Sequence, residues 1–120
     1  MDNKLKKLIE KARELIEPIS PIEIIKNIED YYIIDVREPD EVAKSGKVVG
    51  ALNIPKGVIE TAMKLDKEVK VDQPIVVYCE SGNRAALAGK CLIEAGYTNI
   101  YNLGGFKDWV KARGQIEFAA

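Results

Sequence analysis

Over residues 4–17, apolar side chains at Leu5, Leu8, Ile9, Ala12, Leu15 and Ile16 recur every three or four positions, the spacing of an amphipathic helix. Pro18 and Pro21 end that pattern, since proline lacks the N–H that an interior helical position must donate. Ser20-Pro21-Ile22-Glu23 has the composition of a capping box with proline at the first helical position. A short second helix is therefore expected to run to about Asn27. The helical period stops at Tyr32-Ile33-Ile34-Asp35-Val36, an almost unbroken apolar run that suits a strand covered on both faces. Pro39 opens a further short helix and Gly46 closes it. Gly50 to Pro55 reads as a short strand and turn, followed by a helical pattern through Glu60 to Val69. A second apolar run, Pro74 to Tyr78, is a strand that delivers Cys79, and Ala85 to Ala95 is a helix ended by Gly96. Asn99 to Leu103 makes the last strand, and Gly104-Gly105 turns into a helix carrying Phe106, Trp109 and Val110. Phe106 and Trp109 lie three apart on that helix and are expected to fill core.

Strands alternating with helices predict an α/β domain with a mostly parallel sheet. A chain of 120 residues is one domain, large enough for its own core without disulfide or metal support. Only residues 1–17 and the last six look peripheral, so 1–17 is read as a helical extension and 18–120 as the domain proper. Eighteen Lys+Arg against 19 Asp+Glu leave a formal charge of −1, which gives no reason to expect a nucleic-acid surface. No apolar run approaches the ~20 residues of a membrane span, and the first residues lack a signal peptide's apolar stretch. The protein is thus expected in the cytoplasm, away from membranes.

Histidine is absent from the chain, which removes Ser-His-Asp and Cys-His catalysis and any imidazole metal site. Two cysteines cannot supply an all-thiolate zinc site, so neither metal nor cofactor is expected. Chemistry must run on thiolate, carboxylate, arginine and backbone N–H groups. Cys79-Glu80-Ser81-Gly82-Asn83-Arg84 places a cysteine between a strand and a helix, where backbone N–H groups converge on the positive end of the helix dipole. That setting, with Arg84 nearby, favours the thiolate, the nucleophilic form. The polar, turn-forming residues after Cys79 predict that it is exposed at a pocket. Gly82 lets backbone approach a bound group, and the loop N–H groups could form an anion cradle. Cys91 falls on the apolar stripe Ala88, Cys91, Leu92, Ala95 and is expected to be a buried small hydrophobe.

Four ordered segments resemble the rhodanese family, specifically its single-domain sulfurtransferases. They are Asp35-Val36-Arg37-Glu38-Pro39-Asp40-Glu41, Gly46 through Pro55, Val76 through Arg84, and Tyr101-Asn102-Leu103-Gly104-Gly105-Phe106 with Trp109. The resemblance runs from about Ser20 to Gly114 and implies a three-layer rhodanese-like domain, a mostly parallel sheet flanked by helices. It also implies transfer of sulfane sulfur through a Cys79 persulfide, from a small donor such as thiosulfate to cyanide, a thiol or a protein acceptor. Carried onto this sequence, Cys79 is the nucleophile and the backbone of residues 80–84 (Glu80, Ser81, Gly82, Asn83, Arg84) binds the substrate. Arg84 would add a fixed positive charge for the donor's anionic end, and Asp35 with Arg37 would be a structural pair. Cysteine phosphatases use a loop one residue longer than this C-x4-R spacing, which sets a phosphatase or arsenate reductase behind sulfur transfer. A catalytically silent binding or regulatory module is the reading from another class, and silent members commonly lack the cysteine.

This chain departs from the family pattern at Lys47, commonly histidine, at Val49, often proline, and at Ala85, frequently serine. Glu80 adds a carboxylate beside the nucleophile that would repel an anionic donor. The oligomeric expectation is a monomer or weak homodimer.

Overall fold

The computed structural model describes residues 2–62 and 68–118. Its elements in chain order are α1 (Asn3–Leu15), β1 (Glu17–Pro18), α2 (Pro21–Lys26), a 3-10 turn (Ile28–Asp30), β2 (Tyr32–Asp35), α3 (Pro39–Ser45), β3 (Lys47–Val48), β4 (Leu52–Asn53), α4 (Lys56–Ala62), β5 (Ile75–Cys79), α5 (Asn83–Glu94), β6 (Ile100–Gly105), α6 (Phe106–Lys111) and β7 (Ile116–Glu117). Five strands form one sheet in the order β1-β6-β5-β2-β4, with every pairing parallel. β3 and β7 make a separate antiparallel pair.

β5 lies at the centre of the sheet and all five of its residues are buried. Its side chains alternate between faces, as a pleated strand requires. Ile75, Val77 and Cys79 join Ile34, Ile59, Ala85, Ala88 and Leu92 in a core under α4 and α5. Val76 and Tyr78 join Ile24, Ile33, Leu103, Phe106 and Trp109 in a second core under α2 and α6. Helices thus cover both faces, giving the three-layer α/β arrangement expected from the sequence. Among the described residues, no helix is long and apolar enough to cross a membrane.

Local signals act as physical chemistry predicts. The Ser20 hydroxyl accepts the Glu23 N–H (3.3 Å) and proline occupies the first position of α2. Gly46 ends α3 at a φ of +77°, a conformation that favours glycine. Several boundaries differ from expectation. α1 stops at Leu15, and Glu17–Pro18 leaves the helix to pair with Tyr101–Asn102 as an edge strand, where proline's missing N–H costs nothing. β6 runs straight through Gly104 and Gly105 into α6 without a separate turn, with a register shift opposite Val77/Tyr78. Of the helix expected through Val69, residues 56–62 are helical, 68–69 are not, and 63–67 lie outside the described residues.

The first helix is docked on the domain. Ile9, Ala12 and Ile16 are buried, and Ile16 reaches α5 where Gly89 leaves room: a Cβ there would lie 2.5 Å from Ile16 Cδ1. Leu5, Leu8 and Leu15, expected on the same apolar face, remain exposed. Cys91 is half-buried, and burial pushes its thiol up from the ordinary cysteine range.

Candidate active site

The buried strand β5 ends on Cys79, and only three residues separate it from the first turn of α5. Cys79 itself is fully buried, at 0 % exposure, which corrects the expectation of a cysteine open to a pocket. The polar residues after it do form a turn, but they fold around the sulfur and leave their own side chains outside. Cys79 Sγ accepts the Gly82 N–H (3.0 Å) and the Ala85 N–H (3.4 Å). Gly82 adopts φ +94°, the left-handed conformation that turns its N–H inward. Ala85 lies in the first turn of α5, whose N–H groups have no carbonyl one turn back to bond. Two backbone donors and the positive end of a helix therefore converge on one sulfur, the arrangement that stabilises an anion there.

The strand beside β5 supports the loop from behind. Asn102 donates from Nδ2 to the Gly82 carbonyl (3.3 Å) and accepts the Gly104 N–H at Oδ1 (2.8 Å). Gly105 pairs with Cys79 across β5–β6, and a Cβ on it would lie 2.3 Å from the Glu80 carbonyl oxygen. From the other side comes Arg13 of α1, whose Nη2 donates to Asn83 Oδ1 (2.9 Å) and to the Ser81 carbonyl (3.4 Å).

Arg84 does not present a free charge. Its two terminal nitrogens both donate to Glu41, Nη1 to Oε2 (2.7 Å) and Nη2 to Oε1 (2.8 Å), a bidentate pair. Glu41 also accepts the Glu38 N–H (2.8 Å). Hydrogen bonding from Arg84 holds the Glu41 carboxyl down at about 2, and the same pair raises the arginine above its ordinary value. The positive charge that the sequence assigns to Arg84 for an anionic donor is therefore already paired, by Glu41 of α3, 43 residues earlier.

Asp35 and Arg37 meet in the interior, both almost without exposure. Arg37 donates from Nε and Nη2 to Asp35, from Nη1 to Ser45 Oγ (2.8 Å) and from Nη2 to the Gly46 carbonyl (2.9 Å), while its guanidinium lies 4.5 Å over the Phe106 ring. Every side of this buried cation is answered, as a charge in an apolar interior requires. Burial opposes the Arg37 charge, but hydrogen bonding to Asp35 raises it overall. Burial likewise pushes the Tyr78 phenol upward, and its oxygen accepts the Val48 N–H (2.9 Å). Glu80 points outward, 62 % exposed, with one carboxylate oxygen 3.9 Å from Arg37 Nη1. Lys47 bonds the Ala51 carbonyl and the Glu117 carboxylate, both at 2.6 Å, tying β7 to the domain. Among the described residues, no group of three His, Cys, Asp or Glu side chains could hold a metal ion.

The loop residues singled out in the sequence thus surround Cys79, and four further participants emerge. Glu41, Asn102 and Gly105 stood inside recognisable segments, but their partners are distant in sequence. Arg13 gave no signal, being one of several charges on the polar side of an amphipathic helix. The Ala85 N–H also matters, whereas the sequence had directed attention to that residue's side chain.

Residues 20–112 match the rhodanese-like domain family. Protein YqhL of Bacillus subtilis is 41 % identical over 78 residues, covering 64 % of this chain, and the match spans only 59 % of that relative's length. Protein RPA3614 of Rhodopseudomonas palustris, described as a possible tyrosine phosphatase, superposes with a TM-score of 0.80 at 29 % identity, over 98 % of this chain and 96 % of that one. The polysulfide-sulfur transferase homodimer of Wolinella succinogenes superposes with a TM-score of 0.73, also at 29 % identity, over 98 % of this chain and 89 % of that one. With its parallel sheet, its cysteine loop at the carboxyl end of the central strand and a match over most of its length, the chain belongs to the rhodanese-like domain family.

Proposed function

We propose that this protein is a sulfurtransferase that carries sulfane sulfur as a persulfide on Cys79. The observation that carries the reading is the pair of backbone N–H groups on Cys79 Sγ at the N-terminal end of α5. Such donors stabilise a thiolate before reaction and an anionic sulfur after it, as an oxyanion hole stabilises developing charge elsewhere. With thiosulfate as donor, the Cys79 thiolate attacks the outer sulfur, forming one S–S bond. The bond to the sulfonate sulfur breaks, and sulfite leaves with its electron pair. Cyanide or an acceptor thiolate then attacks the outer sulfur of the Cys79 persulfide, regenerating the Cys79 thiolate and releasing thiocyanate or the acceptor's persulfide. Charge balances in both steps, and one difficult transfer becomes two displacements.

The resemblance of RPA3614 raises phosphate-ester hydrolysis as a rival. The loop favours sulfur, since C-x4-R is short for a tetrahedral phosphate, while the Arg84–Glu41 pair bears on either anion alike. The reading takes the protein to be cytoplasmic and a monomer or weak homodimer, the latter supported by likeness to the Wolinella homodimer.

Intact mass after thiosulfate treatment, with and without cyanide, tests the proposal against Cys79→Ser. A gain of one sulfur that requires Cys79 and disappears on adding cyanide is the expected result. No adduct with thiosulfate, 3-mercaptopyruvate or polysulfide would overturn it and leave a silent binding module.

A further inference from the structure

The family match begins at residue 20, yet a side chain from before that point grips the cysteine loop. Arg13 Nη2 donates to the Ser81 carbonyl, and the peptide unit that contains this carbonyl also contains the Gly82 N–H. A trans peptide is planar, with its C=O and N–H directed oppositely. One peptide therefore joins a guanidinium on its outer side to Cys79 Sγ on its inner side, through bonds of 3.4 and 3.0 Å. The second bond from Nη2, to Asn83 Oδ1 at 2.9 Å, fixes the guanidinium across Gly82. Gly82 is shaped for this contact, since a Cβ there would lie 2.9 Å from Arg13 Nη2. Arg13 is in turn held by its helix, with Ala12 and Ile16 on either side of its turn fully or nearly buried.

We infer that Arg13 is a positioning residue for Cys79, acting through the Ser81–Gly82 peptide. Its charge draws electron density toward the carbonyl end, making the Gly82 N–H a stronger donor, because hydrogen bonds in a chain polarise one another. Its grip also opposes a flip of that peptide, which would turn the Gly82 N–H away from the sulfur and a carbonyl oxygen toward it. The N-terminal helix thereby becomes part of the site, supplying the cation that Arg84, spent on Glu41, does not. As a role in sulfur transfer the inference rests on the function proposed above, but the effect on Cys79 reactivity does not.

The test uses the full chain with Arg13→Ala, Arg13→Lys and, as a control that destabilises the domain on the opposite face of the sheet from α1, Ile24→Ala. Arg13 and Asn102 line a cavity of about 230 Å³, so a smaller side chain at position 13 does not crowd the loop. The readouts are the rate of Cys79 alkylation by neutral iodoacetamide, the ultraviolet absorbance of the thiolate at fixed pH, and persulfide formation. Losing one charge-assisted link in the chain should slow alkylation by about threefold to tenfold in Arg13→Ala and reduce the thiolate absorbance. Arg13→Lys should recover part of both, and Ile24→Ala should lower the melting temperature while leaving alkylation near that of the parent. Equal alkylation in Arg13→Ala and the parent overturns the inference, as does an equal slowing in Ile24→Ala. Slowed alkylation in Arg13→Ala, with no persulfide even on the parent, would sustain the inference and sink the sulfurtransferase reading instead.

Discussion

Gly105→Ala probes how tightly β6 is fitted against the cysteine loop. Gly105 has an ordinary φ of −107°, so alanine meets no conformational penalty and any effect must come from space. The added Cβ would lie 2.3 Å from the Glu80 carbonyl oxygen, whereas real Cβ contacts essentially never fall below 3.0 Å. The obstacle is backbone, not the end of a flexible side chain, so β6 and the start of the loop must separate by at least 0.7 Å, the shortfall between those two distances. Overpacking of this kind costs about 1–3 kcal/mol. For a domain of this size that corresponds to a melting temperature lower by about 4–12 °C. Gly105 is the register partner of Cys79, so the displacement falls directly on that residue. Misplacement approaching 1 Å lowers a positioned reaction by roughly tenfold to a hundredfold. Melting by circular dichroism, with the rates of Cys79 alkylation and of thiocyanate release, reads both effects. Gly104→Ala is the matched control: its φ of +96° disfavours alanine, but the nearest atom to an added Cβ is Asp108 Oδ2 at 3.6 Å. It should lose stability through backbone strain, without the direct clash against the Glu80 carbonyl. A Gly105→Ala protein with the parent's melting temperature and Cys79 rate would show that strand and loop have slack, refuting the close-contact argument.

Glu41→Gln tests the ion pair that occupies Arg84. With the folded carboxyl at about 2 against an ordinary 4.5, the pair's contribution is complete above pH 4.5 and is lost as pH falls toward 2. A third of the Glu41 side chain is in solvent, so screening reduces the contribution to about 1–2 kcal/mol. Urea unfolding across that pH range should therefore show a steeper slope in the parent than in Glu41→Gln, whose remaining slope comes from carboxyls such as Glu117; parallel curves would refute the assignment. Glu80→Ala removes an exposed carboxylate next to Cys79 and, on the proposed function, should lower the KM for dianionic thiosulfate by about twofold to fivefold at low salt, with the difference shrinking as salt is added. An unchanged KM would mean that Arg37, 3.9 Å away, already cancels the Glu80 charge.

The central strands were legible because a parallel sheet buried on both faces demands unbroken apolar runs, and Tyr32 to Val36 and Pro74 to Tyr78 provide them. The helix ends around Ser20, Pro39 and Gly46 were legible because capping and turn preferences are local. β1, β3 and β7 have two residues each, too few to establish a period, and were not anticipated. The cysteine loop announced itself by position and composition. Its burial did not, because the turn-forming residues that suggest exposure also fold back over the sulfur. The same limit hid the fate of Arg84: a charge near a helix N-terminus suggests an anion, but sequence alone does not say that the anion is Glu41. Arg13 lies 68 residues from the carbonyl it holds, and nothing in the helical pattern distinguishes it from Lys6 or Lys11.

The strand order has a consequence for how the protein is made. In the five-stranded sheet β1 touches β6 alone, and Pro18 precedes Ile100 by 82 residues. During synthesis from the N-terminus, the edge strand β1 waits, unpaired, until almost the whole chain has left the ribosome, although α5, on which α1 packs, emerges earlier. A chain stalled before residue 100 can pair β5 with β2, but its other flank is open, and Asn102 and Gly105 do not yet exist to brace the loop. Arg13 then grips a loop that is braced from behind only once β6 has been inserted. The cysteine loop is thus completed only when β6 enters the sheet, and a chain that stops short of it carries Cys79 without the braces that the finished fold provides.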